Sequence, residues 1–144
     1  MTVKPIREGF TAVTPYLLVA GVERLLDFLV KAFGGEVLAR EVRPDGSIMH
    51  AEVRVGDAML MMGEAGGEFA PMPTSIYLYV TDCDAVYQQA LKAGGVSVMA
   101  VTSWPSGERY GGVKDPCSNI WWIATHVEDV SAEEQARRWR EFQG

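Results

Sequence analysis

The sequence predicts an α+β fold in which one β-α-β-β-β module is used twice, and three observations predict it. Slid by 61 positions without a gap, residues 16–39 land on 77–100 with eight identities: Tyr16, Leu17, Val19, Lys31, Ala32, Gly34, Val37 and Ala39 meet Tyr77, Leu78, Val80, Lys92, Ala93, Gly95, Val98 and Ala100. In each stretch the apolar spacing switches from a strand period to a helical one and back. Behind each helix, turn-forming Gly, Pro, Asp and Asn residues fall at comparable places. A chain of 144 residues built this way is one domain, 1–144, with modules at about 12–62 and 74–126. Its function is expected where the two units face each other.

Each module opens with a strand and turns into a helix. Val13–Val19 is β-rich, and Pro15 places that strand near an edge or end. The helix over Gly21–Phe33 sets Val22, Leu25, Leu26, Leu29 and Phe33 on one stripe, and Gly34-Gly35 stops it. In the second module Ser75–Val80 is the strand, Asp82 the N-cap, and Cys83, Val86, Tyr87, Ala90 and Leu91 the stripe, stopped by Gly94-Gly95. Three strands follow each helix: Glu36–Arg43, Ser47–Val55 and Ala58–Met62, then Val96–Ser103, Glu108–Lys114 and Asn119–His126. Pro44-Asp45-Gly46, Gly56-Asp57, Trp104–Gly107 and Asp115–Asn119 are the turns between them. Gly63–Thr74 reads as the linker, and Ser131 with Glu134 as a capping box opening a last helix over 131–142. Behind the helices identity at the fixed offset falls to nothing, so there the repeat rests on spacing and holds to within a residue.

Charge and composition remove several function classes. A net charge of −6 and a pI near 4.9 count against a nucleic-acid surface. No stretch reads as an export signal, and none approaches the roughly 18 apolar residues of a membrane span. The expectation is a cytoplasmic protein whose Cys83 and Cys117 are reduced thiols, one on a helix face and one in a turn.

The stretches TPYLLVAGVERLLDFLVKAFGGE, GSIMHAEVRVGDAMLMM, SIYLYVTDCDAVYQQALKAGG, GERYGGVKDP and WWIATHVEDVSAEE, in that order, resemble the vicinal oxygen chelate superfamily. The likeness is to its bacterial glyoxalase/bleomycin-resistance branch, over about residues 12–134. It implies curved mixed sheets around a shared cavity with helices outside, and a homodimer. It also implies four metal-ligand positions facing that cavity, which fall on Thr14, Leu60 or Met61, Ser75 and Trp122. Relatives that use metal carry His, Gln or Glu there, since divalent ions want imidazole nitrogen or carboxylate oxygen. This chain carries two hydroxyls, an apolar side chain and an indole, so no metal or other cofactor is expected. The closing turn departs too, with Ser118 where the family usually has Gly.

Two groups of residues remain as site candidates. On the third strand His50, Glu52 and Arg54 alternate with Met49, Ala51, Val53 and Val55, which turns the polar set toward the cavity side. A solvated wall or dimer contact would look the same; if the set is functional, His50 carries a proton or donates to ligand and Glu52 orients it. His126 reads as structural. The second group is aromatic: Trp104 in a Pro-Gly loop, Tyr110 between glycines and Trp122 at a former ligand position, rings that suit a planar guest. Core filling is the plain alternative, and Tyr77 reads that way, as do Met59, Met61 and Met62. Thr14, His50, Ser75, Trp104, Tyr110 and Trp122 are therefore the expected ligand contacts. The expected function is metal-free binding or sequestration of a small, partly aromatic molecule between the modules. The alternatives are a metal-dependent lyase, isomerase or dioxygenase, and a metal-free acid–base enzyme using His50 and Glu52.

Overall fold

The computed structural model describes residues 2–143. The first module runs β1 (Tyr16–Val19), α1 (Val22–Phe33), β2 (Glu36–Val42), β3 (Ile48–Val55) and β4 (Ala58–Glu64). The second runs β5 (Ser75–Tyr79), α2 (Cys83–Lys92), β6 (Val96–Ser103), β7 (Glu108–Lys114) and β8 (Ile120–His126), and α3 (Ala132–Glu141) follows. Each module makes one four-stranded mixed sheet, ordered β1-β4-β3-β2 and β5-β8-β7-β6. In each, the first strand pairs in parallel with the last and the other ladders are antiparallel. This is the α+β class read from the sequence.

Local chemistry sets the boundaries. The backbone N–H groups of Gly21 and Val22 at the start of α1 donate to the Glu64 carboxylate at the end of β4. That carboxylate fills the orphan donors of the first turn and complements the helix dipole. Asp82 accepts from Ala85 N–H and opens α2, while Ser131 does the same for Glu134 N–H at α3. Thr14 lies outside β1, which starts after Pro15.

The two sheets share one core. Leu17, Val19, Val53, Leu60 and Met62 meet Val22, Leu25 and Leu29 of α1, and the same cluster continues through Cys83, Tyr87 and Ala90 of α2 to Val113, Trp121 and Ile123. Phe33 joins the modules, its ring 5.0 Å from that of Trp121. At roughly 25 cal/mol per Å² of apolar surface removed from water, this continuous cluster is the main source of stability. Strand alternation leaves each sheet a second, helix-free face. Between the modules a cleft of about 280 Å³ is lined by Pro15, Val55 and Leu60 on one side and by Ile76, Tyr77, Tyr79 and Trp121 on the other. A pocket of about 290 Å³ against the first sheet is lined by Tyr16, Leu18, Glu41, Met49, His50, Gly63, Glu64 and Phe69, all of the first module or the segment after it.

The ladders correct the register of the repeat. Tyr16 and Glu52 both face Met61, while Tyr77 and Gly112 both face Trp122, so Tyr16 corresponds to Tyr77 and Glu52 to Gly112. One step along, Val37 lies opposite Val53 and Ser97 opposite Val113. Val37 thus corresponds to Ser97, not to Val98 as the ungapped match has it. The slip arises at the helix ends: Gly35 N–H donates to Leu29 O and Gly95 N–H to Ala90 O, so α1 keeps one more residue before its return.

Candidate functional site

On the first sheet β3 turns His50, Glu52 and Arg54 to the helix-free face, as their alternation requires. Arg54 leans to the edge, 3.6 Å from Glu36, and is half exposed. His50 and Glu52 stay in the centre. Glu52 is 6% exposed, its Oε1 accepting from Arg7 of the N-terminal segment and its Oε2 lying 3.4 Å from His50 Nε2. Arg7 in turn sits 4.2 Å over the Phe10 ring. The Arg7 hydrogen bond holds the Glu52 carboxyl below its ordinary range; burial opposes this, and His50 adds to it. The other ring nitrogen of His50, Nδ1, lies 3.3 Å from the Tyr16 hydroxyl, which opens on the pocket. Met61 lines this face opposite Tyr16 and Glu52, whereas Leu60 points into the core.

The same face of the second sheet is aromatic. Trp122 donates its Nε1 proton to Ser75 Oγ at 2.7 Å, and its ring stands edge-on to Tyr110 at 6.2 Å. Tyr110 stacks on Trp104 at 5.0 Å and 19° and meets Tyr77 at 5.4 Å. Tyr77 and Tyr79 are 42% and 60% exposed, so Tyr77 is a face residue and not core filler. Trp104 is not the open ring its loop suggested. Besides Tyr110 its neighbours are Trp139 and Phe142 of the C-terminal segment, at 6.4 and 5.2 Å, and its Nε1 is buried without a partner. Beyond Tyr77, Glu108 accepts from the Tyr79 hydroxyl and lies 2.9 Å from His126 Nδ1, while Asp129 lies 2.7 Å from Nε2. Asp129 first and Glu108 second push the His126 pKa upward. Burial, and next the Glu108 charge, push the Tyr77 phenol well above its usual range.

Of the expected contacts, then, Ser75, Trp104, Tyr110 and Trp122 gather on the second sheet and His50 and Glu52 on the first. Thr14 joins neither: it is half-buried ahead of β1, and its hydroxyl donates to Thr11 O at 3.0 Å. Sequence reasoning missed Arg7, which precedes every element and carries no periodic signal. It also missed the Glu108–His126 pair, which the antiparallel register across the Asp115–Asn119 turn could have supplied. The four metal positions do not fit a divalent ion. Trp122 offers an N–H donor already spent on Ser75, Met61 a thioether, and Thr14 lies off the sheet. Among the described residues no three His, Cys, Asp or Glu side chains gather as a metal site.

Comparison with known proteins gives concordant results. The model of the Glyoxalase/Bleomycin resistance protein/Dioxygenase superfamily matches residues 10–123. Uncharacterized proteins of Mycobacterium bovis and Mycobacterium tuberculosis are 35% identical over 134 residues, which is 85% of this chain and 88% and 79% of theirs. Among solved structures, TioX from Micromonospora sp. ML1 superposes with a TM-score of 0.67 at 22% identity, over 84% of this chain and 100% of that one. The fosfomycin resistance protein FosX from Mesorhizobium loti gives 0.60 at 14% identity, over 88% and 97%. At these identities both structures speak for the fold alone.

Proposed function

The chain belongs to the Glyoxalase/Bleomycin resistance protein/Dioxygenase superfamily, and from that premise we propose that it binds or sequesters a small, partly aromatic molecule without a metal ion. One observation carries this reading: at two of the positions where metal-using relatives hold ligands, Trp122 and Ser75 are bonded to each other, and Trp122 continues into a sheet of rings. Such a face gains from stacking and from apolar area removed from water. It has no donor set to polarise a bound oxygen.

The half-exposed Tyr77 and Tyr79 leave the aromatic face open, and the pocket on the first sheet lacks an opposite wall. A second copy would supply both, so we propose a homodimer that works in the cytoplasm, where its two free cysteines stay reduced. Among the described residues no helix is long and apolar enough to cross a membrane.

Tryptophan emission titrated with planar aromatic drugs tests the proposal, with elemental analysis of the same preparation. We expect saturable quenching by at least one compound and about tenfold weaker binding in Trp122→Ala, near 1.4 kcal/mol. Stoichiometric nickel, zinc, manganese or iron would overturn it, as would titrations indifferent to Trp122.

A further inference from the structure

The first sheet carries a linked chain of polar groups that aromatic binding does not use. We infer that Glu52, His50 and Tyr16 form a carboxylate–imidazole–phenol relay, and that it makes the Tyr16 oxygen an acid–base group toward a small substrate in the adjoining pocket. This goes beyond the binding role and does not depend on it.

Each proton in the chain has one place. Glu52 is buried, accepts from Arg7 and stays ionised. An ionised carboxylate only accepts, so His50 Nε2, 3.4 Å from Glu52 Oε2, carries the ring proton. Whenever the ring is neutral, Nδ1 then holds a lone pair, and the Tyr16 hydroxyl 3.3 Å away is placed to donate to it. The phenol proton is thus aimed at a base while the oxygen lone pairs face the pocket. Both contacts are long, as such pairs often are before a substrate draws them in.

The surroundings favour this arrangement over a plain ion pair. Burying a carboxylate costs several kcal/mol unless it is partnered. Here the partner is Arg7, brought in from a segment outside both sheets and set over Phe10. A Cβ at position 63 would stand 2.6 Å from the Tyr16 hydroxyl, so glycine there lets the phenol lie across β4 toward His50.

The step balances without an added reagent. A substrate O–H, N–H or acidified C–H gives its proton to the Tyr16 oxygen as the phenol proton moves to His50 Nδ1. The substrate becomes its conjugate base, and the imidazolium is held beside the Glu52 carboxylate. The reverse transfer restores the site. At about 290 Å³, with Leu18, Met49 and Phe69 as apolar lining and Glu41 and Glu64 as the acidic one, the pocket takes small neutral or cationic molecules.

Benzenesulfonyl fluoride tests the inference, because a phenol that hands its proton to a base attacks sulfur faster as fluoride leaves. Modification rates are read tyrosine by tyrosine from peptide masses, with N-acetyltyrosinamide in the same solution as reference. We expect Tyr16 to react about a hundredfold faster than the reference, the low end of a general-base contribution. Glu52→Gln and His50→Gln should each return Tyr16 to the reference rate while Tyr79 is unchanged, which also reports that the variants fold. Tyr16 no faster than the reference in the unmodified chain overturns the inference without any variant. Equal Tyr16 rates in all three proteins overturn it as well, and leave Arg7–Glu52 as a clip for the N-terminal segment. Nitrogen-15 spectra of His50 give an independent readout, since a ring protonated on Nδ1 alone is incompatible with the relay.

Discussion

Two glycines decide how the helix-free faces present their rings. At Gly63 an added Cβ would meet the outer atoms of Tyr16, its hydroxyl at 2.6 Å and ring carbons at 3.2 Å. At Gly112 it would meet Trp122 Cζ3 at 2.6 Å and Val98 Cγ2 at 2.7 Å. The Tyr16 ring is half exposed and free to swing away, whereas Trp122 is held by Ser75 and Tyr110. Gly63→Ala should therefore change unfolding free energy by less than about 1 kcal/mol, while Gly112→Ala costs roughly 1–3 kcal/mol as an overpacked contact. Denaturant midpoints measure both. Gly63→Ala should also abolish the fast sulfonylation of Tyr16. The sequence reading took Gly63 as the first residue of the linker, yet it lies inside β4. A glycine under a ring and a glycine in a turn are the same letter, and only the partner strand distinguishes them.

Among the elements, the turn from β7 to β8 shows what a departure from the family pattern costs. Asp115 is buried and accepts from the backbone N–H of Cys117 and Asn119, from Asn119 Nδ2 and from Trp121 Nε1. Asn119 Oδ1 in turn accepts from Thr74 N–H, which ties the linker to the turn. In this saturated network Ser118 is held at φ 70°, the left-handed region that glycine tolerates. An L-residue there costs about 1–2 kcal/mol, and the greater unfolded-state freedom of glycine offsets part of the relief it brings. Ser118→Gly should raise unfolding free energy by roughly 0.5 kcal/mol, read as a higher urea midpoint at unchanged slope. Turn residues and helix stripes made nearly every element legible, because caps and periods are local. The seat of α3 was not legible. Nothing local says that Trp139, or Phe142 just past the helix, lies against Trp104. The same holds for the one-residue slip between the modules, which depends on how far α1 runs before Gly35.

At the scale of the whole molecule, one chain presents an aromatic face and a polar face on two sheets that share a core, within a chain of net charge −6. The alternation of β3 and β8 made the two faces legible; which partners complete them was not, since Arg7 reaches Glu52 from outside the repeat. That long-range pair has a consequence for acid stability. The Glu52 carboxyl lies below its ordinary value of 4.5 in the folded chain, chiefly through Arg7, so the unfolded chain binds the proton more readily. Stability from this group is complete above the unfolded value and is lost as pH falls through the folded one. The exposed pairs of Asp84 with Arg109, of Glu128 with Arg138 and of Glu134 with Arg137 and then Arg138 act in the same direction, but solvent screens them. Glu52 is the buried member and should dominate. Unfolding free energy measured from pH 6 to pH 3 should fall more steeply in the unmodified chain than in Glu52→Gln, whose amide does not titrate. At pH 6 the amide variant should be less stable by about 1–3 kcal/mol, because it leaves Arg7 unpaired and His50 with a weaker acceptor. At pH 3 the gap should narrow, and parallel curves across that range would show that Arg7 does not hold Glu52 ionised in solution.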